Sequence, residues 1–106
     1  MTVEQILQKE IEDSKKWMER VENDSTYKRD LKKRIELINW VLENMKNSDI
    51  PNFELMESKM NETVLKINKT HSIFEADILH SELRILDWIF YQVCSNEINK
   101  FDRLSY

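Results

Sequence analysis

The chain has 106 residues, a net charge of −4, and a composition in which 41% of residues are hydrophobic and 34% are charged. This length predicts one domain that spans residues 1–106. The composition is typical of a globular helical protein, which excludes a disordered chain. The negative charge argues against a protein whose whole surface attracts nucleic acid.

Glycine is absent from the sequence, although average usage would give about 7 in a chain of this length. The absence excludes the phosphate-binding loop, the dinucleotide-binding turn and the nucleophile elbow, all of which need glycine. Tight hairpins of the Asn-Gly kind are excluded as well. With Pro51 as the single proline, the chain is expected to form long helices. No cofactor is predicted.

The single cysteine, Cys94, cannot form an internal disulfide, which favours a reducing compartment. Residues 1–4 contain no basic segment followed by an apolar one, so no secretory signal is predicted. The apolar run at residues 85–93 is interrupted by Asp87 and Gln92 and is too short to span a bilayer. These features predict a cytoplasmic protein that does not enter a membrane.

Apolar residues at spacings of three and four predict two helices in the first half of the chain. Thr2 and Gln5 form a candidate capping box at the start of the first helix. The residues that recur at this spacing are Val3, Leu7, Ile11, Ser14, Met18 and Val21, of which all but Ser14 are apolar. After a polar turn at residues 23–26, the second helix carries Tyr27, Leu31, Ile35, Ile38, Leu42 and Met45 on one face. Residues 47–51 are predicted to end it.

The second half predicts two further helices or one continuous helix. The third helix has an apolar face of Phe53, Met56, Met60, Val64 and Ile67. Residues 68–72 have low helix propensity, and Ser72 with Glu75 forms a second candidate capping box. The fourth helix is expected to run to about Phe101. Short connections favour antiparallel neighbours, so the prediction is an all-α bundle of four helices, ordered up-down-up-down.

Several large apolar side chains lie outside the predicted faces. In the second helix these are Leu37 and Trp40, and in the fourth they are Ile85 and Trp88. One interpretation is a contact surface for a second copy of the chain, because homodimers are the commonest assembly and tryptophan often anchors interfaces. The alternative is that the fourth helix is central and that the tryptophan rings lie over neighbouring side chains.

A basic segment at residues 27–34 contains five basic residues and one acidic residue, a net charge of +4. Its candidate nucleic-acid contacts are Tyr27, Lys28, Arg29, Lys32 and Lys33. The basic side chains could neutralise phosphates, and the tyrosine could stack on a base. The alternative is a solvated helix face whose charges pair with acidic residues of the first helix, with Glu12, Glu19 and Glu22 as the candidates.

Some charged residues fall within or beside the apolar faces and could ligate a metal. Glu10, Glu75, Glu82 and His71 are the candidates, and Asp77 with His80 adds a carboxylate–imidazole pair. A dinuclear carboxylate centre needs Glu-x-x-His pairs, which are absent, so no metal site is predicted. A magnesium-dependent pyrophosphohydrolase is a second alternative, since such enzymes pair carboxylates on adjacent helices. The carboxylates in question are Glu10, Asp13, Glu19, Glu22, Glu82 and Asp87.

The sequence therefore favours a non-enzymatic helical bundle that acts through protein–protein contact, as an adaptor or regulatory module. We expect a homodimer and no catalytic residues. The alternatives are a weak nucleic-acid-binding regulator that uses residues 27–34 and a metal-dependent enzyme that uses inward carboxylates.

Overall fold

A computed structural model of the chain describes residues 2–22, 25–45 and 51–93, and within these ranges the regular structure is entirely helical. The helices are α1 (Val3–Met18), α2 (Thr26–Met45), α3 (Phe53–Lys69) and α4 (Ile73–Asp87). A π-helical turn, Trp88–Val93, continues directly from α4. The predicted extension to Phe101 and the position of Cys94 lie outside the described residues.

The start of α1 confirms the predicted capping box. The Thr2 hydroxyl accepts a hydrogen bond from the Gln5 backbone N–H at 3.1 Å, and the Thr2 N–H donates to the Gln5 side chain at 3.0 Å. The start of α2 is capped in a similar way, because the Ser25 hydroxyl accepts from the Lys28 N–H at 3.0 Å. These bonds satisfy backbone donors that a helix leaves free in its first turn.

The chain breaks between α3 and α4, which makes them two helices rather than one. Thr70 has an extended backbone with ψ of 143°, and Ser72 caps α4 by accepting from the Glu75 N–H at 3.2 Å. The second capping box forms only in part. The Glu75 carboxylate accepts from the Thr70 hydroxyl at 3.0 Å, and the same hydroxyl accepts the Ser72 N–H at 3.2 Å. Local polar chemistry at residues 70–75 therefore ends one helix and begins the next.

The helices form two hairpins, α1 with α2 and α3 with α4, and the hairpins meet where α2 packs against α4. The connections within each hairpin are short, so its helices are antiparallel. Side-chain contacts between α2 and α4 pair Arg29 with Asp77 and Lys33 with Glu82. The residue numbers rise together on both helices, so α2 and α4 run parallel. This direct contact between parallel helices determines where the charged residues described below meet.

The core is one cluster of apolar side chains contributed by all four helices and the π-helical turn. Its members are Val3, Leu7, Ile11, Leu37, Ile38, Val41, Met45, Met56, Ile85, Leu86 and Ile89. The α1 pattern is confirmed as far as Ser14, since Val3, Leu7, Ile11 and Ser14 are the buried residues of α1. Met18 is only half-buried, and Val21 lies beyond the end of the helix.

The predicted face of α2 needs a correction. Leu37 and Val41 are buried, whereas Ile35 and Leu42 are only half-buried and Tyr27 is exposed. The reason is that α2 has two neighbours, α1 and α4, and buries side chains toward both of them. A single predicted stripe describes a helix with one buried face.

Candidate functional site

Hydrogen bonds and ion pairs join α2 to α4, and we call the residues that form them the polar seam. It consists of Arg29, Asp30 and Lys33 on α2 with Asp77, Ser81, Glu82 and Arg84 on α4. Arg29 lies 3.1 Å from the Asp30 carboxylate and 3.0 Å from that of Asp77. The Ser81 hydroxyl, on a buried residue, donates to Asp30 at 3.0 Å.

The polar seam changes the acidity of its basic members. The hydrogen bond to Asp77, reinforced by Asp30, raises the pKa of Arg29 above its ordinary value. Burial alone would lower the pKa of Lys33, but hydrogen bonds to Glu82 and Glu36 outweigh that effect and raise it. Both side chains therefore remain cationic at neutral pH, and their charges are compensated by neighbouring carboxylates.

The basic segment at residues 27–34 is largely paired with acidic residues of the same chain. Arg29 and Lys33 belong to the polar seam, and Arg34 lies 2.6 Å from the Glu10 carboxylate on α1. The partners of Arg29, Lys33 and Arg34 on the neighbouring helices are Asp77, Glu82 and Glu10, and not the expected Glu12, Glu19 and Glu22. Tyr27 and Lys32 are exposed. The segment thus offers less free positive charge than its sequence indicates, while nucleic-acid binding itself stays a prediction.

The four side chains predicted to contact a second chain lie in or against the core. Leu37 is 5% exposed and Ile85 is 3% exposed. The prediction that these two side chains lie outside the buried faces of their helices is therefore wrong. Trp40 and Trp88 are half-buried and pack against the core cluster, and the Trp88 ring has the Arg34 guanidinium 5.5 Å from its centre. Leu37 and Ile85 are therefore buried within the chain, whereas the contact of Trp40 and Trp88 with a second chain stays a prediction.

The candidate metal ligands do not converge in the part of the chain that the structure describes. There, no group of three or more histidine, cysteine, aspartate or glutamate side chains is placed to hold a metal ion. Glu10 pairs with Arg34, Glu82 with Lys33, and Glu75 accepts from Thr70. His71 and His80 are exposed at separate places on the α3–α4 hairpin.

Four exposed apolar side chains lie on the second half of α3 and in the first turn of α4, and we call this set the α3–α4 corner. It consists of Val64, Leu65, Ile73 and Phe74. Ile73 is 90% exposed and Phe74 is 68% exposed, and they occupy the first two positions of α4. Sequence reasoning did not select this corner. The sequence feature that could have indicated this corner is that Leu65 and Ile73 are apolar but belong to none of the predicted apolar faces.

The edge of the corner is charged. Lys69 and Glu75 are both exposed and line one shallow depression across the turn. Neither forms an ion pair with any other described residue. Nearby, Lys66 lies 3.0 Å from Glu62, and this hydrogen bond lowers the pKa of the Glu62 carboxyl. The corner therefore combines apolar side chains with an unpaired cation and an unpaired anion.

A comparison of the chain with protein families, curated proteins and solved structures finds no match. Within the described ranges, none of the helices combines the length and apolar character needed to cross a membrane. What the molecule does has to be argued from its own surface.

Proposed function

We propose that this protein is a non-enzymatic interaction module, with an adaptor or regulatory role, and that it pairs with a second copy of itself through the α3–α4 corner. The observation that carries the proposal is the exposure of Ile73 and Phe74 side by side at the start of α4. Adjacent exposed apolar side chains lower the free energy of a complex that covers them. Aromatic residues are also common anchors of protein interfaces.

The chemistry of the corner favours a second copy as the partner. In a two-fold dimer the same patch faces itself, so it has to be complementary to its own rotated image. Ile73 and Phe74 satisfy this condition because apolar surfaces need no opposite charge. Lys69 and Glu75 satisfy it as well, because the cation of each copy can approach the anion of the other. The proposal also places the protein in the cytoplasm, on the sequence evidence of a single cysteine.

The test is native mass spectrometry together with light scattering on the purified full chain. We expect a dimer for the unchanged protein and a monomer for the double variant Ile73→Ser, Phe74→Ser. The matched control is Tyr91→Ser, since Tyr91 is a large exposed side chain on the π-helical turn, outside the corner. Circular dichroism checks that each variant keeps its helices.

Two results would overturn the proposal. One is an unchanged protein that stays monomeric at micromolar concentration. The other is a dimer that survives the double substitution at Ile73 and Phe74. Charge reversal at Lys69→Glu adds a second criterion, because it should weaken the dimer and the further change Glu75→Lys should restore it.

A further inference from the structure

A second feature of the molecule is a cleft between α1, α2 and α4, at the end of the bundle where α1 meets α2. Its volume is about 410 Å³, within the range of about 300–1,000 Å³ that is typical of small-molecule pockets. The cleft is lined by Glu10, Asp13, Ser14, Trp17, Tyr27, Asp30, Leu31, Arg34, Ser81, Arg84 and Ile85. It does not include the α3–α4 corner, so it is a separate site.

Most charges around the cleft are paired, and two of opposite sign are not. Glu10 is paired with Arg34, and Asp30 accepts hydrogen bonds from Arg29 and Ser81. Among the described residues, the carboxylate of Asp13 forms no hydrogen bond or ion pair. Within the described ranges, the guanidinium of Arg84 donates to the Ser81 hydroxyl at 3.1 Å and to no other residue, so most of its five N–H donors have no partner there.

The floor of the cleft carries an unused hydroxyl. Ser14 is 2% exposed, and its hydroxyl has no hydrogen-bond partner among the described residues. In the same part of the chain, no fully buried side-chain oxygen or nitrogen lacks a partner. The small exposed area of Ser14 therefore includes its hydroxyl oxygen, which opens into the cleft. A polar group at this depth is normally hydrogen-bonded, so it is placed to meet a bound polar group.

Two aromatic residues stand at the cleft, Trp17 on α1 and Tyr27 on α2. Each is about half exposed. The Arg20 guanidinium lies 5.5 Å from the centre of the Trp17 ring, while Tyr27 has no ring contact among the described residues. Exposed rings beside a polar floor provide a surface on which a flat apolar group can pack.

We propose that this cleft binds a small zwitterion with a flat apolar group, the chemistry of an aromatic α-amino acid. In this complex the ligand carboxylate accepts hydrogen bonds from Arg84, in the manner of arginine–carboxylate pairs. The ligand ammonium donates to Asp13 and to the Ser14 hydroxyl. The ring packs against Trp17 and Tyr27. The ligand thereby supplies an opposite charge to each of the two charged side chains that the protein leaves unpaired.

The test is titration calorimetry of the full chain with three related probes. L-phenylalanine carries both charges, 2-phenylethylamine carries only the ammonium, and 3-phenylpropionate carries only the carboxylate. We expect L-phenylalanine to bind and each single-charge probe to bind at least about tenfold more weakly, because each lacks one charge-assisted contact. Equal binding of all three probes, or no heat with L-phenylalanine at millimolar concentration, overturns the proposal.

Variants assign each contact. In Asp13→Asn, L-phenylalanine should no longer bind more tightly than 3-phenylpropionate. In Arg84→Gln, it should no longer bind more tightly than 2-phenylethylamine. Glu12→Gln and Lys32→Gln are the matched controls, since both side chains are exposed and lie outside the cleft. Affinities that do not change in the two cleft variants contradict the proposal.

A measurement on the unchanged protein does not depend on variant folding. The indole N–H resonance of Trp17 should shift on addition of L-phenylalanine, whereas that of Trp40, which lies outside the cleft, should not. A shift of Trp40 alone, or of neither resonance, would also overturn the assignment. Because oligomeric state is not the readout, failure here leaves the proposal for the α3–α4 corner intact.

Discussion

The Arg29 guanidinium on α2 lies 3.0 Å from the Asp77 carboxylate on α4, and the two residues are separated by 48 positions in the sequence. The same guanidinium nitrogen donates to the Asp30 carboxylate at 3.1 Å, and the guanidinium carbon lies 5.6 Å from the centre of the Phe74 ring. Arg29 therefore ties the parallel helices α2 and α4 together at the edge of the α3–α4 corner. Its partners are contributed by both hairpins, so the contact forms only when the hairpins have docked.

Replacing this arginine should weaken the docking of the two hairpins. We expect Arg29→Gln to lower the free energy of unfolding by about 1 kcal/mol, a modest value because the Asp77 side chain is more than half exposed. Urea denaturation measures the change, with Lys32→Gln as a control at an exposed position. A double-mutant cycle with Asp77→Asn should show coupling between the two residues. Additive effects would mean that the ion pair does not stabilise the fold.

Lys33 should make stability depend on pH in the alkaline range. Its pKa is raised in the folded state by Glu82 and Glu36 against the effect of burial, so the folded protein holds this proton more tightly than the unfolded chain does. The stabilisation is complete below the unfolded pKa of about 10.4 and is lost as pH rises through the higher folded pKa.

The measurement is urea denaturation of the unchanged protein and Lys33→Met at about pH 8 and about pH 11. We expect the unchanged protein to lose stability relative to the variant at the higher pH. For Lys32→Met, at an exposed neighbouring position, the difference in stability from the unchanged protein should be the same at both pH values. A difference between wild type and Lys33→Met that stays constant with pH would contradict the assignment.

The break between α3 and α4 depends on the Ser72 cap. Ser72→Ala removes the acceptor for the Glu75 N–H and should lower the free energy of unfolding by about 1 kcal/mol. Ser58→Ala, the same substitution at an exposed position inside α3, should be neutral or stabilising by a few tenths of a kcal/mol, because alanine favours a helix interior. Equal effects of the two substitutions would show that the cap contributes nothing.

Leu86 occupies the centre of the core and has no exposed area. Leu86→Ala should lower the free energy of unfolding by about 2–5 kcal/mol, through lost apolar burial and the cavity that remains. Leu55→Ala makes the same chemical change at a half-buried side chain outside the α3–α4 corner and should cost less. Thermal and urea denaturation of the pair test the assigned burial directly, and similar losses for both variants would be incompatible with it.

The pairing within residues 27–34 predicts how the protein behaves on a polyanion. We expect no retention on heparin at about 0.15 M salt, because Arg29, Lys33 and Arg34 are compensated by carboxylates. The double variant Asp77→Asn, Glu82→Gln removes the α4 partners of Arg29 and Lys33, which keep only Asp30 and Glu36 on α2, and it should be retained more strongly. Glu54→Gln with Glu57→Gln makes the same charge change on exposed α3 residues and should have a smaller effect. Retention of the unchanged protein would favour the nucleic-acid alternative.

The sequence by itself determined the features that depend on neighbouring residues. Thr2 with Gln5 and Ser72 with Glu75 marked two helix starts, since a cap needs only a polar side chain within the first turn. The repeat of apolar residues identified the helices and the buried face of α1 because a helix with one packed side repeats every three to four residues.

Only the tertiary structure decided which helices touch and which charges meet. Leu37 fell outside the predicted face of α2 because that prediction assumed one buried side, whereas α2 packs against both α1 and α4. The partners of Arg29 and Lys33, the exposure of Ile73 and the grouping of Asp13 with Arg84 in one cleft follow from the docking of two hairpins. These contacts join residues far apart in the sequence, and helical periodicity carries no information about how separate helices are placed.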